Sequence, residues 1–217
     1  MKFAAYNFIY FNCMFKYKYI IPIIICIFFS IQGFAQQINV SVVMENKTNK
    51  PNNDTIYYNP HTKLNWQDFQ GASPADALWG AMTASGFSFN SSMSDDGNNI
   101  DITIHVFSFF TKHDSWKRPD IHSDYHLEHE QRHFDITRLG AEKLVEELRK
   151  AKFTSQNYRK VLHSIFDKVY QENTALQQQY DLETKHSLDT AQQNEWNNRI
   201  EMEIQKIKRS VAKNYSH

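Results

Sequence analysis

Between Asn99 and Phe110 apolar and polar positions alternate. Ile100, Ile102, Ile104 and Val106 fall on one face of an extended chain, and Asp101, Thr103 and His105 on the other. A period of two marks a strand with one face buried. Met82 to Asn90 predicts a partner strand, and Asp95-Asp96-Gly97-Asn98 between the two supplies turn chemistry. Earlier, Ile38, Val40 and Val42 alternate with Asn39 and Ser41, which predicts another half-buried strand. A polar loop from Asn46 to Asp54 leads to a short strand candidate at Thr55 to Tyr58. Leu64 and Trp66 alternate ahead of Gly71 and Pro74, the pattern of a strand end that sends an aromatic into the core.

The period lengthens after Ser123. Leu127, Phe134, Ile136, Leu139, Leu144 and Leu148 recur at helical spacing from Asp124 to Ala151, with Asp124 as the expected N-cap. Tyr158, Val161, Leu162, Ile165, Phe166, Val169 and Tyr170 follow the i, i+3, i+4 rule and predict a core-facing helix. Trp196, Ile200, Ile204, Ile207 and Val211 predict a last one. Strands followed by helices give an α+β fold: N-terminal antiparallel strands, then three helices.

Residues 1–35 stand apart. Ile20 to Ile31 is apolar but for Pro22 and Ser30, Lys16 and Lys18 precede it, and Gly33-Phe34-Ala35 follows. A cationic flank, a short apolar core and small residues at a cleavage site are the parts of a secretory signal peptide. The core is shorter than the roughly 20 residues that span a bilayer, so no stable membrane anchor is expected after cleavage. Met1 to Cys13 is rich in Phe and Tyr, whereas a start at Met14 gives an ordinary cationic leader, so Met14 is the expected initiator. Cleavage after Ala35 removes Cys13, Cys26 and three lysines, which leaves 21 basic and 24 acidic residues and no cysteine. A secreted or periplasmic domain over 36–217 must then hold together by its core, or by a core and a metal. The near-neutral charge shows no basic stripe, so no nucleic-acid partner is expected.

The chemistry concentrates in His129-Glu130-Gln131-Arg132-His133, an H-E-x-x-H within the first predicted helix. Residues four apart share a helix face, so the two imidazoles can converge on one divalent ion, and zinc suits them. Glu130 projects beside them as a general base for a metal-activated water. His122 and His126 continue the stripe as flanking surface residues, and His105 is a solvated strand residue. Asp135 is a candidate acceptor behind the ligands. A catalytic zinc needs a third protein ligand. Tyr180 to Ser187, a polar turn between the last two helices, offers His186 first, then Asp181, and also Glu183.

Three blocks in order carry a resemblance: Trp66-x-Asp68-Phe69, then His129-Glu130-Gln131-x-His133-Phe134-Asp135-Ile136, then Tyr180-Asp181-x-Glu183-Thr184-x-His186 with Gln193 and Trp196 behind. Together they resemble a bacterial family of unknown function predicted to be secreted zinc-dependent proteases. The resemblance implies a zincin-like α+β fold, a metal at His129 and His133, and Glu130 as catalytic acid/base. It departs from the family at Ser187, where Gly is usual, and at Arg132, where a small residue is usual. The reading as a whole is a secreted zinc metallopeptidase acting on a peptide or protein substrate. Its rival is a non-catalytic extracytoplasmic domain with a structural metal or a binding role.

Overall fold

The structure, a computed structural model, describes residues 37–50 and 53–214, with side chains described as far as 209. The expected signal peptide and the expected start at Met14 lie outside the described residues. Among the described residues no helix is long and apolar enough to cross a membrane.

Among the described residues six strands precede three helices: β1 (Gln37–Met44), β2 (Thr55–Tyr57), β3 (Ala81–Met82), β4 (Ser85–Asp95), β5 (Asn99–Thr111), β6 (Trp116–Lys117), α1 (Asp124–Lys150), α2 (Tyr158–Thr184) and α3 (Thr190–Asn214). β5 is the centre of the main sheet. β4 pairs with its whole length antiparallel, joined through a turn in which Gly97 takes φ 88°, a conformation that suits glycine. Along the other edge run β1 and then β2. β2 is antiparallel to β5, but β1 is parallel to it, Gln37 opposite Asn99 through Met44 opposite Val106. The expected all-antiparallel set is corrected there. Alternation reports which face is buried and is blind to strand direction. β3 and β6 form a separate two-stranded antiparallel sheet.

The β5 alternation holds: Ile100, Ile102, Ile104, Val106 and Phe110 are all buried. The first four pack with Val42 and Phe87 against Ala141, Leu144, Val145 and Leu148 of α1 and against Leu162 and Val169 of α2. A second cluster joins Tyr58, Leu64, Phe69 and Phe110 to Phe134 and Ile136 of α1, Tyr180 of α2 and Trp196, Ile200 and Ile204 of α3. The first half of α1 therefore lies between α2 and α3. Gly140 marks the closest approach: a Cβ there would come within 2.6 Å of the Asn173 amide and 2.7 Å of the Phe87 ring.

Local capping departs from the sequence in two places. Ser123, not Asp124, caps α1, its hydroxyl accepting from the His126 N–H. Trp66–Asp68 is a 3-10 turn rather than a strand end, closed by Asn65 and Asp68 accepting each other's backbone N–H groups. α2 also outlasts its apolar pattern, so Asp181 and Glu183 sit in its final turn and not in a connecting loop.

Candidate metal centre

His129 and His133 lie one turn apart on α1, and α2 brings Asp181 to face them. His133 Nε2 is 3.0 Å and His129 Nε2 3.2 Å from Asp181 Oδ1, and the two Nε2 atoms are 3.3 Å apart. Among the described residues these three form the group of His and acidic side chains that can hold a metal ion. A tetrahedral ion with bonds of about 2.0–2.1 Å sets its ligand atoms about 3.3 Å apart, so the triangle already has the size of one face of such a site. Two nitrogens and one carboxylate oxygen form a donor set suited to zinc.

The tautomers support the same reading. His129 Nδ1 is 2.8 Å from Gln193 Oε1, and His133 Nδ1 is 2.6 Å from Gln177 Oε1. The Gln177 amide nitrogen donates to His133 O and Thr137 Oγ1, and that of Gln193 to the Tyr180 hydroxyl and Asn197 Oδ1. Each glutamine thus presents its oxygen to the ring, and each Nδ1–H is the donor. Both Nε2 lone pairs then point at a carboxylate, which needs a cation between them. Tyr180 stacks on the His129 ring with centroids 4.7 Å apart, and burial pushes its hydroxyl well above the usual tyrosine range.

Without a metal the cation is a proton. Burial alone would lower the pKa of His133, but the bond to Asp181, the charges of Glu130 and Asp181 and the bond to Gln177 more than reverse this and raise it to about 8. Burial pushes the Asp181 carboxyl up, and the bonds and charges of His129 and His133 hold it well below the usual carboxylate range.

Glu130 is buried beside the trio and lines a cleft of about 220 Å³ with Trp79, Ala81, Met82, His126, His129, Asp181 and His186. Thr83 Oγ1 donates to Glu130 Oε2 at 2.7 Å, and among the described residues no side chain bonds Oε1. His186, the favoured third ligand, is beside the trio and not in it: its Nδ1 is 3.3 Å from Asp181 Oδ1 and its ring stacks on Trp79 with centroids 3.5 Å apart. Glu183 points elsewhere and accepts from the Trp196 indole. His126, taken as a surface residue, lines the cleft, while His105 lies on the sheet face opposite the helices.

Asp135 contacts neither ligand. It is buried, accepts from the Tyr58 hydroxyl, Gln131 and Arg132, and so joins α1 to the segment before β3. Gln131 Oε1 accepts from the Leu64 N–H in the same network. Arg132 does not line the cleft; it is buried against α3, bonded to Asp135, Glu128, Asn197 and Glu201. Gln177 and Gln193 were not foreseen as site residues. Their signal was available: Asn173, Gln177 and Asp181 are spaced four apart, as are Gln193, Asn197 and Glu201, each set a polar stripe on one helix face.

Fold and site together define an α+β protein whose first two helices form a His-His-Asp triangle that can hold a metal ion, with a buried glutamate beside it. Residues 113–187 match a family described as bacterial protein of unknown function (DUF922), a stretch that contains both the His129–Ile136 block and the Tyr180–His186 block. No curated protein and no solved structure matches the chain.

Proposed function

We propose that this protein is a zinc-dependent hydrolase of peptide bonds that works outside the cytoplasm, secreted or periplasmic. The observation that carries it is the triangle of His129 Nε2, His133 Nε2 and Asp181 Oδ1, with 3.0–3.3 Å sides and both Nδ1 atoms tied to glutamines. Three protein ligands leave the fourth position of a tetrahedral ion for solvent, the arrangement of a catalytic site. Zinc, when bound, supplies a Lewis acid that polarises a carbonyl and acidifies a water. Thr83 anchors one oxygen of Glu130. The other oxygen takes the proton of the attacking water and delivers it to the leaving amine. A peptide fits the cleft wall. The Arg118 N–H donates to Gly80 O, so alternation along β3 turns the N–H and C=O of Ala81 away from β6, free to pair with an extended chain. The extracytoplasmic setting rests on the signal-like pattern of residues 16–35.

Glu130→Gln tests the mechanism. It is expected to bind one zinc as the parent does and to cleave a peptide library about 10²–10⁴-fold more slowly. Unchanged cleavage would remove Glu130 from the reaction.

A second reading has its own support. His186 Nδ1 lies 3.3 Å from Asp181 Oδ1 but outside the trio, and a shift of its ring towards the other two ligands would add a fourth ligand and make the metal structural. Ligand counting by X-ray absorption separates the two: three protein ligands and a water for the hydrolase, four protein ligands for the structural centre.

A further inference from the structure

Nine large hydrophobic side chains are exposed among the described residues, and five of them fall in the two segments that supply the walls of the metal cleft: Trp79 and Met82, which line it, with Leu78 beside them in sequence, and Leu182 and Leu188, each next in sequence to a residue that lines it. Scatter over the surface would not gather them on two short segments, and a contiguous exposed apolar patch marks a binding site. Trp79 and Met82 line the cleft itself, and Ser187, next to Leu188, lines its far wall. The two sides meet where Trp79 stacks on His186 with ring centroids 3.5 Å apart. Leu78 and Leu188 remain 80% and 79% exposed, so neither serves the core.

From this we infer that the rim is the specificity surface of the hydrolase proposed above, and that it selects an extended polypeptide with large apolar side chains beside the scissile bond. Such residues are buried in folded proteins. The inference therefore points to unfolded or newly exported chains rather than folded surfaces as substrates. The shape favours a peptide over a bilayer. Trp79 and Met82 face inward on a concave cleft, whereas a membrane-binding face is a stripe or plane of apolar side chains ringed by basic ones.

The test uses the zinc-loaded full chain and two peptides that differ only in Leu or Ser on both sides of the scissile bond. The Leu peptide is expected to be cleaved with a kcat/KM at least about tenfold higher, mostly through KM. In Leu78→Ser/Leu188→Ser, whose changes lie on exposed positions, that preference, read as the ratio of the two kcat/KM values, falls severalfold. Equal cleavage of both peptides by the parent overturns the rim and leaves the hydrolase standing. If zinc is bound and neither peptide is cut, the hydrolase fails instead. The rim is then judged by calorimetric titrations of Glu130→Gln with the two peptides, where equal affinities overturn it and tighter binding of the Leu peptide upholds it. Binding to neutral phosphatidylcholine vesicles that the double variant loses, with no peptide preference, also overturns it.

Discussion

Gln177 and Gln193 decide which nitrogen of each histidine meets the cation. An imidazole has two nitrogens, and only a partner on Nδ1 commits Nε2 to the metal. Gln193→Ala removes the acceptor 2.8 Å from His129 Nδ1. It is expected to weaken zinc binding by about 10–100-fold in chelator competition with the helices intact by circular dichroism. The same residues set a pH dependence. His133 in the metal-free protein has its pKa raised from 6.5 to about 8. The stability its proton gives the metal-free fold is full below about 6.5 and lost as pH rises through about 8. Zinc bound as proposed would displace that proton, so its affinity is expected to run the opposite way. It is expected to fall by about tenfold per pH unit below that value and to level off above it, measured by competition between pH 6 and 9.

At the scale of elements, two polar stripes matter as much as the apolar ones. Asn173, Gln177 and Asp181 on α2 and Gln193, Asn197 and Glu201 on α3 face the first half of α1. These positions end the apolar periodicity of α2 near Tyr170 while the helix itself continues to Thr184. A period built on hydrophobicity is silent where a buried face is polar, which is why the pattern puts Asp181 in a turn, while its rank behind His186 follows from the preference of zinc for imidazole. Beyond Thr184, Lys185, His186 and Ser187 take φ of 50°, 51° and 71° in succession. Left-handed backbone costs a residue with a Cβ about 1–2 kcal/mol, which gives a physical reason for glycine at the position Ser187 occupies. Ser187→Gly is therefore expected to raise stability by about 1 kcal/mol, read as a higher urea midpoint at unchanged m-value.

At the scale of the whole molecule, the metal triangle ties α1 to α2 while the Gln193 bond ties α1 to α3. A ligand that binds only the folded state adds RT ln(1 + [L]/Kd), about 2.7 kcal/mol at a hundred times Kd. Removal of zinc by a chelator is expected to lower Tm by roughly 5–10 °C for a domain of this size, and added zinc to restore it. The His129→Ala protein should show the lower Tm and no response to chelator. Arg132 and Asp135 hold α1 against α3 and the segment before β3 through bonds that do not involve the triangle, so the loss is expected to be partial.

The sequence by itself determined the buried face of the central strand, the presence of three helices and the pairing of the two rings. Period two placed the β5 face, the H-E-x-x-H spacing placed His129, Glu130 and His133 on one side of a helix, and backbone geometry alone guarantees both. Tertiary structure decided the rest. The parallel run of β1, the choice of Asp181 to complete the triangle, the burial of Arg132 against α3 and the glutamines behind each histidine all depend on which helix face meets which neighbour. Those contacts join residues more than forty positions apart, and no local pattern in a single chain encodes which distant partner a polar side chain will find.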